Sequence, residues 1–420
     1  MKILLVNQAF YPDVASSAQH AADLAAALAG SGHMVTVVTS RRAYDKPELI
    51  FPKLEVWKGV RIERIDSLGL GKAAKWRRAL DFASFLLRCA VKLAFLPKFD
   101  VVIAMTSPPL VAFIASLFAT WKGGRLVYWV MDLNPDEAVA AGWLREGSAT
   151  AKVLAAISQY TFRRSARIIT LDRFMTARVL AKGIDPAAID TIPPWSHDEA
   201  VRNDIEGRRK FRGEHGLEGK FVVMYSGNHS PCHPLDSLVE AAARLAGRTD
   251  IAFCFIGGGS EHAKVRAMAE SRGLKNVLCL PYQPIEGLSA SLNSADMHVV
   301  VMGDPFVGIV HPCKIYNILR LGKSVLYIGP AEGHIPDMVG PALPCDWFYA
   351  AAHGEADLIA ERISTAAASP QSDGEAQKLI ASGFSAKTLL PRLAERIEGL
   401  TETTVPEAKN AAPLEPSGVQ

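Results

Sequence analysis

Residues 297–329, MHVVVMGDPFVGIVHPCKIYNILRLGKSVLYIG, constrain the fold more than any other stretch. MHVVV is a short, β-branched apolar run of the kind a buried parallel strand shows. A Gly/Pro/His loop follows, then KIYNILRLG, whose spacing predicts a helix ending at Gly322, then a second buried strand, SVLYIG. Strand, polar loop, helix and strand make half of a doubly wound sheet, which takes ligands at the carboxyl ends of its strands. The loop meets a helix start, where free N–H groups and the helix dipole favour an anion. Lys314, in the first turn, opposes that dipole, which points to an anionic ligand; a solvated surface lysine is the plain alternative.

The same alternation runs through the chain. MKILLVNQAF is a strand, SSAQHAADLAAALAGSGH a helix with Ser16 or Ser17 as its expected cap, and MVTVVTS a strand. The series continues with DVVIAMTSPPL, RLVYWVMDLNPDEAVAAGWL, a helix around 149–164, ARIITLD, a helix from 173 and IDTIPPW. Pro193-Pro194-Trp195 marks a boundary, after which the alternation restarts: a strand at 221–226, a helix from about 235, then IAFCFIGGGSEHAKVRAMAESRG and NVLCLPY. The reading is an α/β chain of two doubly wound, Rossmann-like domains facing a cleft. Residues 1–195 form the first and 196–375 the second; 376–402 is a helix returning to the first, and 403–420 a polar tail expected to be disordered.

Bulk properties narrow the function. A length of 420 residues suits two domains, and a net charge of +3 gives no reason to expect nucleic acid. The six cysteines lack a disulfide framework, and Cys254 and Cys279 lie inside apolar runs, which argues for a cytoplasmic setting. The amino-terminal apolar run is too short for a signal peptide, and no uninterrupted run reaches the ~18 residues of a membrane span.

Residues 72–99 have a different character. Helical spacing puts Phe82, Phe85, Leu86, Cys89, Leu93 and Leu96 on one face, with Leu80, Leu87 and Val91 as a second apolar strip. Lys72, Lys75 and Arg78 cluster at its start beside Trp76 and Arg77. Such a helix suits an anionic membrane surface; a helix packed on the sheet with a basic outer edge is the alternative. At the end of the strand RLVYWVMD, Asp132, Asn134, Asp136 and Glu137 arrive where a ligand should bind. Asp136 or Glu137 is expected to cap the next helix, which leaves Asp132 as the candidate for chemistry.

These segments together resemble the GT-B glycosyltransferases, in particular the large retaining family that uses nucleotide-sugar donors, and within it the bacterial branch that builds surface polysaccharides. The resemblance is carried by FYPD with the first helix and GHMVTVVT, by SPPL and by MDLNPDEAVAAGWL. In the second half it is carried by YSGN, LDSLVEAA, FIGGGSEHAKVRAMAESRGLKNVLCLPY and HPCKIYNILRLGKSVLYIG. It implies a UDP-linked sugar, N-acetylated in some members, and a lipid-linked or glycan acceptor, with retention of configuration. It also implies a place on the inner membrane face and no metal. By the same resemblance Gly227 and Asn228 approach the donor diphosphate, Gly257, Gly258 and Gly259 form the turn beside the base, and Tyr282 lies along the nucleobase. Lys314 would neutralise a phosphate oxygen of the leaving group.

The sequence departs from that pattern. The two glutamates of the family's Glu-x7-Glu segment are Ile309 and Asn317, and only Asn317 can still hold a ribose hydroxyl. The Arg and Lys that follow Gly227 in relatives are Asn228 and His233, so His229, His233 or His311 is expected to donate to phosphate, with charge following pH near neutrality. His229, Cys232, His233, His311 and Cys313 could instead ligate zinc, but their spacing matches no known ligand pattern, and no metal site is expected. Ser16, Ser17 and His20 belong to the acceptor side; His20 is expected at the surface. Asp132 is expected to orient or polarise the acceptor hydroxyl. Two other readings share the fold: a nucleotide-sugar 2-epimerase, which has no use for the basic apolar helix, and a non-catalytic binding or scaffold protein, which the missing acids would suit.

Overall fold

A computed structural model describes residues 1–13, 15–43, 48–70, 75–196, 201–369 and 373–402. Lys72 and the 403–420 tail lie outside the described residues. The first sheet has eight strands: β1 (Lys2–Val6), β2 (Met34–Ser40), β3 (Leu54–Trp57), β4 (Val60–Ile65), β5 (Val101–Ala104), β6 (Arg125–Trp129), β7 (Ser165–Thr170) and β8 (Ile189–Thr191). Their spatial order is β3-β4-β2-β1-β5-β6-β7-β8, parallel except for the β3–β4 pair. The second sheet holds β9 (Phe221–Asn228), β10 (Ile251–Gly258), β11 (Val277–Leu280), β12 (Met297–Val301), β13 (Ser324–Ile328) and β14 (Phe348–Ala351). Its order is β11-β10-β9-β12-β13-β14, all parallel. Two doubly wound α/β domains are therefore present. Strand order reverses between β1 and β5 and between β9 and β12, the crevices where such sheets take ligands.

The helix α1 (Ser16–Gly30) begins without the expected serine cap: Ala15 holds the cap position and makes no side-chain bond, and Ser16 is the first helical residue. The helix α2 (Lys75–Ala94) settles which apolar strip is core. Phe85, Cys89 and Leu93 are fully buried against the sheet, while Trp76, Leu80, Leu87 and Val91 are exposed, Leu87 by 68%. The first strip is spent on packing, and any surface role passes to the second.

One core joins the two domains. Met302, Phe306, Ile309 and Val310, in the loop after β12, belong to the same apolar cluster as Leu133, Val111 and Met175 of the first domain. Leu133 N–H donates to the Ile309 carbonyl at 2.8 Å, and Arg178 Nε to the Val307 carbonyl at 2.7 Å. The connecting segment is pinned through Trp195, which stacks on Trp129 at 5.9 Å and donates from Nε1 to Asp23 at 2.9 Å. The helix Ala386–Glu402 returns to α1, with Glu398 2.8 Å from His33.

Candidate active site between the two sheets

The second sheet's crevice is built by backbone that only glycine tolerates. β9 and β10 run in register until Gly227 faces Gly257, and both have positive φ, 132° and 140°. A Cβ at Gly257 would stand 2.0 Å from the Gly227 carbonyl oxygen, so no other residue fits there. Tyr282, 49% exposed, lies against Gly258, where a Cβ would meet its ring at 2.9 Å. Asn228 is exposed at the rim, and its carbonyl accepts from the Tyr225 hydroxyl at 2.8 Å.

Into this crevice comes Lys314, the first residue of the helix Lys314–Arg320. It is not a solvated lysine. Its ammonium lies 3.6 Å from the Tyr225 ring centroid, beside Gly227, and has no hydrogen-bond partner among the described residues. Burial draws its pKa down to about 7. A cation held over an aromatic face without an acceptor among the described residues has room for an anionic partner. Asn317, one turn further along the same helix, is half-buried.

The histidines need correction. His229 Nδ1 donates to the Gly227 carbonyl at 3.0 Å, and its Nε2 is buried without a partner. His233 Nδ1 is engaged by the Val301 carbonyl at 2.7 Å. Burial, with the Lys314 charge adding to it, pushes both pKa values down to about 3, so neither ring switches near neutrality. His311 does not reach for a phosphate at all. Its Nδ1 donates to Asp172 at 2.8 Å and its Nε2 faces the Tyr316 hydroxyl at 2.6 Å. His20 is fully buried rather than at the surface, its ring nitrogens 2.7 Å and 3.0 Å from the Ser16 and Trp195 carbonyls. Ser16 is exposed at the start of α1 and Ser17 is half-buried beside it.

The first domain contributes a pair of carboxyls. Asp132 follows β6, and burial together with the Glu137 charge pushes its pKa up to about 8. Glu137 is raised in turn, chiefly by burial, against the opposing charge of Arg78 and a bond from Asn134. Neither acid caps the helix Asp136–Ala140, where Pro135 holds the cap position; Asp136 pairs with Lys182 at 2.9 Å. Glu137 is the residue that sequence reasoning passed over, because a carboxylate two residues after a proline has an ordinary explanation as a cap. Arg78, read from the sequence as a membrane contact, is half-buried and bears on Glu137, whereas Trp76 and Arg77 are exposed. The Cys232 and Cys313 thiols are pushed up to about 12 by burial and by these acids, so neither supplies a nucleophile. Cys313 feels the charges of both Asp132 and Lys314.

Ile309, at the position where the resemblance implies the first glutamate, is 2% exposed in the interdomain core. The acid is replaced by packing. The five histidines and cysteines weighed as a zinc set do not converge; among the described residues, the group that brings its ligand atoms within 4.8 Å of one another is Asp172, His311 and His334.

Two doubly wound sheets, with a glycine-built crevice holding Lys314 on one and a buried acid pair after β6 on the other, make a GT-B fold. Residues 17–195 match the glycosyl transferase 4-like domain and residues 207–311 the glycosyl transferases group 1 family. The chain belongs to the glycosyltransferases. It is 25% identical over 353 residues to the Escherichia coli (strain K12) protein WcaI, named for glycosyl transfer in colanic acid biosynthesis, covering 79% of this chain and 84% of that one. In fold it is similar to sucrose-phosphate synthase of Thermosynechococcus elongatus, with a TM-score of 0.73 at 14% identity, covering 96% of this chain and all of that one. It is also similar to the Anabaena protein HepE (Alr3699) in complex with UDP and glucose, with a TM-score of 0.69 at 15% identity, covering 95% and 100%.

Proposed function

We propose that the chain transfers a sugar from a UDP-linked donor to a lipid-linked or glycan acceptor in surface polysaccharide synthesis, with retention of configuration. Residues 196–375 take the donor and residues 1–195 the acceptor. The observation that carries this reading is Lys314: a buried ammonium without an acceptor, against a glycine backbone, where the departing diphosphate needs neutralising. Asn228 and the N–H groups around Gly227 complete the diphosphate cradle, Asn317 takes the ribose, and Tyr282 packs along the base. Asp132 holds the acceptor hydroxyl as its bond to the anomeric carbon forms. No step of the transfer draws on a metal.

UDP in the HepE complex supports the choice of donor base, and the naming of WcaI supports the polysaccharide setting. Titration calorimetry of UDP, GDP and dTDP is the test. UDP should bind at least tenfold more tightly than the other two, about 1.4 kcal/mol. Failure of all three to bind would overturn the donor site, and a preference for GDP or dTDP would overturn the assignment of the base.

The acceptor side bears on where the protein works. No helix among the described residues is long and apolar enough to cross a membrane. The exposed strip on α2 instead runs Trp76, Leu80, Leu87, Val91, then on to Phe95 just beyond the helix, which is 85% exposed. Arg77 and Arg88 flank it, and the neighbouring helix α3 (Val111–Lys122) adds exposed Leu117 and Trp121. A basic-edged apolar face of this kind supports attachment to the inner face of an anionic membrane, where a lipid-linked acceptor resides. In vesicle sedimentation, wild type should bind vesicles of phosphatidylglycerol more than those of phosphatidylcholine, and Leu87→Asp with Val91→Asp should reduce that binding at least tenfold. Equal binding by the double variant would remove the membrane from the reading.

A further inference from the structure

Away from the donor crevice, the domain interface contains a cluster that the transfer reaction does not use. Asp172 precedes the helix Arg173–Ala181 of the first domain and caps it, its Oδ1 accepting from Met175 N–H at 2.8 Å. Its other oxygen faces His311 Nδ1 at 2.8 Å. His311 Nε2 lies 2.6 Å from the Tyr316 hydroxyl, which lies 2.9 Å from His334 Nε2, and the two imidazole centroids are 4.2 Å apart. The His311 and Asp172 side chains are almost entirely buried, at 0% and 4% exposure.

With neutral rings, the bonds run one way: His334 Nε2–H to the tyrosine oxygen, the tyrosine O–H to His311 Nε2, and His311 Nδ1–H to the carboxylate. Among the described residues the Asp172 carboxylate then accepts from the His311 ring and the Met175 backbone N–H, while Arg173 pairs with Asp337. The cluster thus gathers a buried carboxylate and two imidazoles within reach of one another. Asp172 and His334 also line a small cavity with Gly308, Pro312, Tyr327 and Gly333, so there is a void beside the ligand atoms.

We propose that Asp172, His311 and His334 bind a zinc ion that clasps the two domains together. Two imidazoles and one carboxylate are a standard zinc ligand set, with the fourth position left to a water or to the Tyr316 hydroxyl. Ligands at a tetrahedral zinc stand about 3.3 Å apart, so atoms already within 4.8 Å of one another need only side-chain rotation. The ion would replace the hydrogen bonds of the chain, each neutral imidazole ligating through the lone pair of one nitrogen and keeping its single proton on the other. Because the carboxylate belongs to one domain and both imidazoles to the other, zinc would bind only when the domains are closed, and would hold them so.

The test uses the full chain stripped of metal with a chelator and titrated with zinc chloride against a chromophoric competitor. Wild type should take one equivalent, and zinc should raise its Tm. His334→Gln, which keeps a hydrogen-bonding side chain next to Tyr316, and Asp172→Asn should each weaken binding at least tenfold, with far-UV circular dichroism like wild type. Cys232→Ser and Cys313→Ser should bind as wild type does. No saturable zinc in wild type, binding unchanged in both His334→Gln and Asp172→Asn, or binding lost in the cysteine variants instead would each overturn the proposal. If either ligand variant fails to fold, the other decides, together with whether zinc raises the wild-type Tm.

Discussion

Replacing Lys314 with Met is expected to weaken UDP binding at least tenfold while leaving the fold as stable as before or more so. The two effects have one cause. The Lys314 ammonium lies over Tyr225 and is buried without an acceptor, and an unpaired buried cation costs free energy that a thioether of similar length does not. A diphosphate oxygen supplies the missing partner, and a charge-assisted hydrogen bond of this kind contributes roughly 1.5–3 kcal/mol, or about 10- to 150-fold in affinity. The pH dependence has a fixed sign. The ligand-free pKa is about 7, below the ordinary lysine value of ~10.4, so between those two values the unfolded chain binds more protons than the folded one. Wild-type stability should therefore rise relative to Lys314→Met as pH increases from 7 towards 10. Over the same span UDP affinity should fall, because the phosphate needs the protonated amine. Calorimetry and denaturant unfolding at pH 7 and pH 9.5 measure both. Unchanged affinity in the variant would take Lys314 away from the phosphate.

The crevice was legible in the sequence because it is local. A β-branched run, a glycine and a helix start lie within about ten residues of each other on each side of it, and strand order then fixes where the loops meet. The resemblance added the base side, Tyr282 and the glycine turn, and the structure brings these together around Gly257 and Gly258. What the sequence could not give was burial of polar side chains. His20 and His311 read as cleft or surface residues because a lone histidine carries no periodic signal. Both are held by partners far away in the chain, Trp195 and Asp172. The same limit applied to α2. Two apolar strips were visible, and only packing against the sheet could decide which was core. Ile309 belongs here too: an acid replaced by an aliphatic residue reads as a lost function until its place between the two sheets is known.

The acid pair shows the same limit with a larger consequence for turnover. Asp132→Asn is expected to lower kcat by about 10²-fold or more, the usual contribution of a positioned general base, with the donor KM close to wild type. Burial first, and the Glu137 charge second, hold the Asp132 carboxyl up to about 8, which poises it to exchange a proton near neutrality. Glu137→Gln removes the like charge, so the Asp132 pKa falls and the acid limb of the pH–rate profile should move to lower pH. Stability gives an independent check. A carboxyl whose folded pKa is raised stabilises the fold below its unfolded value of ~3.9 and loses that contribution as pH rises through the folded value. Asp132→Asn should therefore gain stability over wild type as pH rises from about 4 to about 8, and the gain should be absent at pH 4. A variant that keeps wild-type kcat but shows this gain would mark Asp132 as a buried acid without a part in the transfer. If Glu137→Gln instead abolishes turnover with no shift in the acid limb, the proton-handling role passes to Glu137, and Arg78, whose charge opposes the rise in its pKa, becomes the group that sets its acidity.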